Sequence, residues 1–347
     1  MSLFLGTRSG VYRTATPHAE DVTHVLDSGN TPRVRTVPAV DGVFAASASG
    51  LYRSTDDGQT WDRLAVPREE VYSVVAGPDG ERLYAGTHPA HLYVSSDGGE
   101  TWTELDGFQE LPSRDEWHTP RHRNEAHVRG LGVAPEISDR VIAGVEVGGV
   151  HVSDDRGETW AERCGGSSAS GTSGGSPREG RSDGVSASEA SGGSSREKRS
   201  DGVHDDVHHV LVLGADEYIA STGDGLYRTR DAGRSWTRLD TGIDHRYFRE
   251  AFALDGRLYA AAAHGPPGTW SGTNGANAVL LESVDDGETW ERVSYPGGPE
   301  EVVLGWTEFD ERVVAGTNDG SLIRRGADGT WTETGAVPAE IRSLAVC

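Results

Sequence analysis

Four arginines, Arg35, Arg129, Arg249 and Arg342, each follow an apolar residue, Val34, Val128, Phe248 and Ile341, near the start of a short strand-like segment. Lined up with Val71-Tyr72, Val207-His208 and Val302-Val303, they occupy four of seven equivalent positions. Convergent guanidiniums would form a positive funnel suited to a carboxylate, sulfate or phosphate held by forked hydrogen bonds. The competing arrangement pairs each arginine with an acid of a neighbouring segment, and Glu70, Glu125, Asp206, Glu250 and Glu340 are at hand. Two carboxylates are candidate catalytic groups. Glu146 stands where equivalent segments carry Arg8, Ala48, His88, Gly223 or Asn318, with Val147-Gly148-Gly149 leaving space beside it, and Asp206 precedes His208 by two residues. His208, Tyr247 and His264 join the arginines as candidate ligand-binding residues. A glycosidase needs two carboxyl groups about 5–10 Å apart. His204, Asp206, His208 and His264 have no compact metal-ligand spacing, so neither a metal nor a cofactor is expected.

A repeat must position these groups. The octapeptide Ser/Thr-x-Asp-x-Gly-x-Thr/Ser-Trp occurs at 54–61, 95–102, 153–160, 229–236 and 283–290, with a shortened copy at 326–331. Its Asp accepts backbone N–H bonds across a turn, its Gly supplies positive φ, and its Trp fills space between sheets. The acids Asp56, Asp97, Asp155, Asp231 and Asp285 therefore read as turn clasps rather than catalysts. Trp61 to Trp102 and Trp290 to Trp331 are each 41 residues apart, which sets the plain repeat length. The longer intervals place insertions at 103–126, 165–203 and 264–278. A period near 40 with four short strands per unit predicts an all-β fold, a β-propeller. Residues 2–26 read as strands two to four and 340–346 as a lone first strand. Joining them gives seven blades, with the ring closed by the C-terminal strand. All three insertions are connections of one face of the disc, which also carries ten of the thirteen histidines.

The octapeptide is that of the Asp-box (BNR) repeat, and the chain resembles the propellers that carry it: sialidases, sortilin-type receptors, some xyloglucan-degrading glycosidases and photosystem II assembly factors. The resemblance spans almost the whole chain and implies the fold; its members include hydrolases, receptors and assembly factors. In sialidases an Arg inside Phe/Tyr-Arg-Ile-Pro at an inner strand grips the substrate carboxylate. Phe248-Arg249, Val128-Arg129 and Ile341-Arg342 are similar to that entry point, although none continues Ile-Pro. Two functions follow from the resemblance. One is a propeller that binds an anionic small molecule, a carbohydrate or an acidic protein segment; the other is a sialidase-like hydrolase of an acidic sugar.

One domain accounts for all 347 residues. The formal charge is −23, and only one of the 32 basic residues is lysine, Lys198. Such a surface suits a salt-rich cytoplasm, where ions screen its self-repulsion. Its field opposes nucleic acid as a partner. The start, Met1-Ser2-Leu3-Phe4-Leu5-Gly6, leads straight into a strand, so no leader and no membrane span is expected. Two cysteines, Cys164 and Cys347, do not make a disulfide scaffold. The 165–203 insertion is Gly, Ser and charge without an aromatic residue, and is expected to be disordered and dispensable for folding.

Overall fold

The computed structural model describes residues 1–37, 39–119, 121–164, 202–271 and 275–347. Seven four-stranded antiparallel sheets form a ring. Blade 1 is the composite one: Ile341–Val346 is its innermost strand, followed outward by Leu3–Thr7, Gly10–Thr14 and Thr23–Leu26. The innermost strands of blades 2 to 7 are Arg33–Val37, Val71–Ala76, His127–Ala134, Val207–Val212, Tyr247–Leu254 and Val303–Phe309. Each touches the innermost strands of its two neighbours, and together they build the hub. The terminal pairing adds backbone hydrogen bonds between Ser2 and Cys347, which leaves Leu3–Thr7 no free inner edge.

Burial explains the strand chemistry. Second strands are buried on both faces, as Leu83–Thr87 and Leu3–Thr7 illustrate, so they read as continuous apolar or small runs. Small residues are required where blades converge. A Cβ on Gly86 would lie 2.7 Å from Val128, and one on Gly316 would lie 2.4 Å from Ile341. The core is divided into clusters, most of them shared by adjacent blades.

Each octapeptide closes the turn between the third and fourth strands as its chemistry dictates. In the first copy Thr60 N and Ser54 Oγ both donate to Asp56 Oδ1 at 2.9 Å, Thr60 Oγ1 donates to Oδ2 at 2.6 Å, and Gly58 N donates to Ser54 Oγ. The same bonds recur at Asp97, Asp155, Asp231 and Asp285. These bonds hold Asp56, Asp97 and Asp285 down at a pKa of about 2. Blade 1 has a divergent clasp: Asp21 accepts from Thr14 Oγ1 and Ala15 N.

Among the described residues, the 103–126 insertion shapes the site. Three short 3-10 turns carry Phe108 and Trp117 inward, where they pack on each other and on His151 of blade 4. This small core anchors residues 121–124 above the hub. Residues 165–201 lie outside the described residues, whereas Val203, at the end of that expected insertion, is buried with Val150, Val207 and Tyr218.

Candidate functional site

Most innermost strands begin with a β-bulge, as the register shifts after Val71, Val128, Val207, Phe248 and Val303 show. The extra residue sits at the hub, out of the ladder. These residues are Tyr72, Arg129, His208, Arg249 and Leu304, with Arg342 at the corresponding place in blade 1. All six, together with Pro32 of blade 2, line one cavity at the hub. Its free volume is about 10 Å³, room for about one water molecule.

Register corrects two members of the column read from sequence. Val303 pairs with Thr317, so Leu304 and not Val303 takes the seventh position. In blade 2, Arg33 pairs with Ala46 and Val34 with Ala45. That shift moves Arg35 deeper, where its Nη1 donates to the carbonyls of Val74 and Leu131, each at 3.2 Å. Burial, reinforced by the charge of Arg33, lowers its pKa to about 10. Arg33 crosses the hub to Glu250 at 3.1 Å, and His209 Nε2 lies 3.4 Å from the same carboxylate. Arg33 and Glu250 thus line the same cavity as the ring, as an ion pair.

The remaining arginines differ in their partners. Arg129 Nη1 donates to Glu146 Oε2 at 2.5 Å; burial opposes the guanidinium's charge, but the Glu146 carboxylate outweighs it and raises the pKa. Arg342 is 2.9 Å from Glu340, its Nε has no hydrogen-bond partner, and burial lowers its pKa. Arg249 donates to Tyr247 Oη at 3.0 Å and, among the described residues, makes no ion pair with a carboxylate. Burial pushes the Tyr247 phenol far above its usual range, so it stays protonated.

Glu146 and Asp206 are brought together by an antiparallel bridge between their backbones. Glu146 is 3% exposed, with His127 Nε2 3.1 Å from Oε2 and His122 Nε2 3.6 Å from Oε1. Burial alone would protonate it, yet the field of His127 first and of Arg129 next, with side-chain contacts to His122 and His127, holds the carboxyl well below the usual range. Asp206 faces His208 Nε2 at 3.5 Å and Arg121 at 3.6 Å, and its pKa is also lowered against the opposing effect of burial. Both carboxylates are therefore ionised at neutral pH. His208 Nδ1 contacts the Phe248 carbonyl at 2.6 Å.

His264 stands apart: it is exposed, stacks on His245 with centroids 4.4 Å apart, and does not line the cavity. Reasoning from sequence missed His122 and His127. His127 has a signal, since it holds the same place before the apolar residue as Glu70, Asp206 and Tyr247. His122 arrives from the insertion, where His122, Arg123 and Asn124 all have φ between 50° and 62°, a left-handed run costly for non-glycine residues.

Residues 2–129, less than half of the chain, match the DUF6242 beta propeller domain family. A stretch of 128 residues is 30% identical to an oligoxyloglucan-reducing end-specific xyloglucanase of Emericella nidulans, covering 32% of this chain and 14% of that enzyme. Among solved structures, the GH74 enzyme of Niastella koreensis superposes with a TM-score of 0.58 at 16% identity, over 87% of this chain and 45% of that one. YCF48 bound to D1 peptide gives a TM-score of 0.52 at 15% identity, over 87% and 83%. Among the described residues no helix is long and apolar enough to cross a membrane, and neither cysteine forms a disulfide. The chain is a seven-bladed β-propeller similar in fold to GH74 enzymes and YCF48, and it spans only a small part of the xyloglucanase that it matches in sequence.

Proposed function

We propose that the protein is a binding propeller of the Asp-box type, working in a salt-rich cytoplasm and holding an anionic small molecule or acidic peptide segment at the hub mouth. One observation carries the reading. Arg249 faces the hub cavity with no carboxylate paired to it among the described residues, while Arg129 and Arg342 line the same space. The Tyr247 phenol orients that guanidinium. The cavity is too small to engulf a sugar, so the ligand offers one carboxylate, sulfate or phosphate to the ring and lies along the face around it. YCF48, a neighbour in fold over most of both chains, is known with a bound peptide, which supports a peptide as one ligand class.

The second reading is a hydrolase of an acidic glycoside with Glu146 and Asp206 as its carboxylates. Its support is the xyloglucanase match and the closeness of the two groups, whose nearest oxygens lie within 4.8 Å. The electrostatics oppose it. A glycosidase acid must carry a proton, and both pKa values are shifted down.

Calorimetry in concentrated KCl with glucuronate, N-acetylneuraminate, sulfate and a glutamate hexapeptide tests the first reading. Arg249→Ala should weaken the best of these roughly 10- to 100-fold, the worth of a charged hydrogen-bond pair. Unchanged affinity in that variant overturns it. Release of 4-methylumbelliferone from acidic glycosides by the native protein, lost in Glu146→Gln with binding retained, would establish the hydrolase instead.

A further inference from the structure

Two sets of metal-ligand atoms meet at Glu146. The donor atoms of His122, His127 and Glu146 lie within 4.8 Å of one another, and so do those of Glu146, Asp206 and His208. Their hydrogen bonding is incomplete. His127 is wholly buried: Nδ1 has no hydrogen-bond partner, and Nε2 meets Glu146 Oε2 at 3.1 Å as an ion-pair contact without hydrogen-bond geometry, while Asp206 Oδ1 is buried with only His208 Nε2 beside it at 3.5 Å. Such groups are costly unless something else satisfies them.

The tautomers point the same way. The Phe248 carbonyl can only accept, so His208 Nδ1 donates to it, which leaves Nε2 as the ring nitrogen that faces Asp206 Oδ1, at 3.5 Å. A backbone carbonyl fixing the far nitrogen of an imidazole is the usual outer support of a metal-binding histidine. Arg129 takes Glu146 Oε2, and Arg121 lies beside Asp206 Oδ2. Glu146 Oε1 and Asp206 Oδ1 are left facing histidines.

We propose that Glu146, drawing His122 and His127 from one side and Asp206 and His208 from the other, is the centre of a binding site for a zinc-class divalent cation. The spacing fits. Bonds of about 2.0–2.1 Å in a tetrahedron place neighbouring ligand atoms about 3.3 Å apart; His122 Nε2 lies 3.6 Å from Glu146 Oε1, and His127 Nε2 lies 3.1 Å from Oε2, the oxygen that Arg129 also contacts. Mixed imidazole and carboxylate ligands select zinc or cobalt over magnesium or calcium, which take all-oxygen sets. The site goes beyond the anion-binding reading and stands on different atoms.

Full-length protein stripped with EDTA is titrated with Zn²⁺, and separately with Mg²⁺ to measure binding to the acidic surface. The native chain should take up Zn²⁺ stoichiometrically against excess Mg²⁺. Glu146→Gln and His127→Asn should each weaken that uptake by at least ~100-fold, more than loss of an outer supporting group costs. His24→Asn, on the outer strand of blade 1, should leave it intact. Cobalt substitution guards against misfolded variants: native protein should show visible d–d bands, and His122→Asn should shift them while circular dichroism stays native. Zn²⁺ uptake no greater than Mg²⁺ uptake, or equal uptake by native protein, Glu146→Gln and His127→Asn, overturns the proposal.

Discussion

The two faces of the disc spend their polar groups differently. On the clasp face every full octapeptide gives its Asp the same backbone and hydroxyl donors, and the buried Glu282 nearby accepts from Arg325, Arg257 and Trp331 Nε1. On the face with the insertions, the carboxylate atom Asp206 Oδ1 is buried without a hydrogen bond and Arg249 has only a phenol, whereas the buried atoms without partners on the clasp side are nitrogens such as Trp61 Nε1, Trp290 Nε1 and Arg13 Nε. Adjacent blades even exchange roles on the insertion face: blade 3 sets Glu70 against His88, and blade 4 sets His127 against Glu146.

The contrast can be broken by measuring stability. Glu282→Ala should be the most damaging change, about 3–5 kcal/mol in chemical denaturation, because it takes the shared acceptor from the half-buried Arg257 and Arg325 and from the buried Trp331 N–H. Ligand affinity should be untouched, and a loss of affinity would erase the division of labour.

Acid should come next. His151 and His209 are buried and held neutral, with pKa values lowered from 6.5 to about 4. Below pH 6.5 the unfolded chain takes up protons that the folded chain refuses, so stability falls as pH drops from 6.5 towards 4, by roughly 3 kcal/mol for His151. The clasp acids have depressed values, and their contribution is lost later, between pH 3.8 and about 2. Denaturation across this range should show two successive declines, and His151→Asn should flatten the upper one. A single decline below pH 4 would contradict the assignment.

Gly58→Ala should cost roughly 1–3 kcal/mol, since φ is +79° and the new Cβ would sit 2.8 Å from Phe4 Cε1. Arg249→Ala should have the smallest effect on stability, under about 1 kcal/mol, despite its effect on ligand. A larger loss would mean that Arg249 is a strut.

The ring was legible because every blade repeats the same local solution: Trp spacing gave its length, and the turn chemistry placed its strands. Much of the site was legible too, since Arg129, His208, Arg249 and Arg342 share a strand position and the structure brings them to one cavity. What escaped were departures from the repeat. Blade 2 enters its ladder in another register, which put Arg35 at the wrong depth. Leu304 was displaced by one residue because a bulge adds a residue without changing the apolar pattern. The convergence of His122 and His127 on Glu146 depends on an insertion folding over a neighbouring strand, and no spacing along the chain records that.

The composite first blade has a consequence for synthesis. Leu3–Thr7 leaves the ribosome ahead of every strand of the other six blades, yet its inner hydrogen-bonding partner, Ile341–Val346, follows them all. Throughout translation the nascent chain therefore carries an unpaired apolar strand that another polypeptide could capture. Any product lacking Ile341–Val346 would keep that edge permanently open, prone to aggregate however well its other blades had folded.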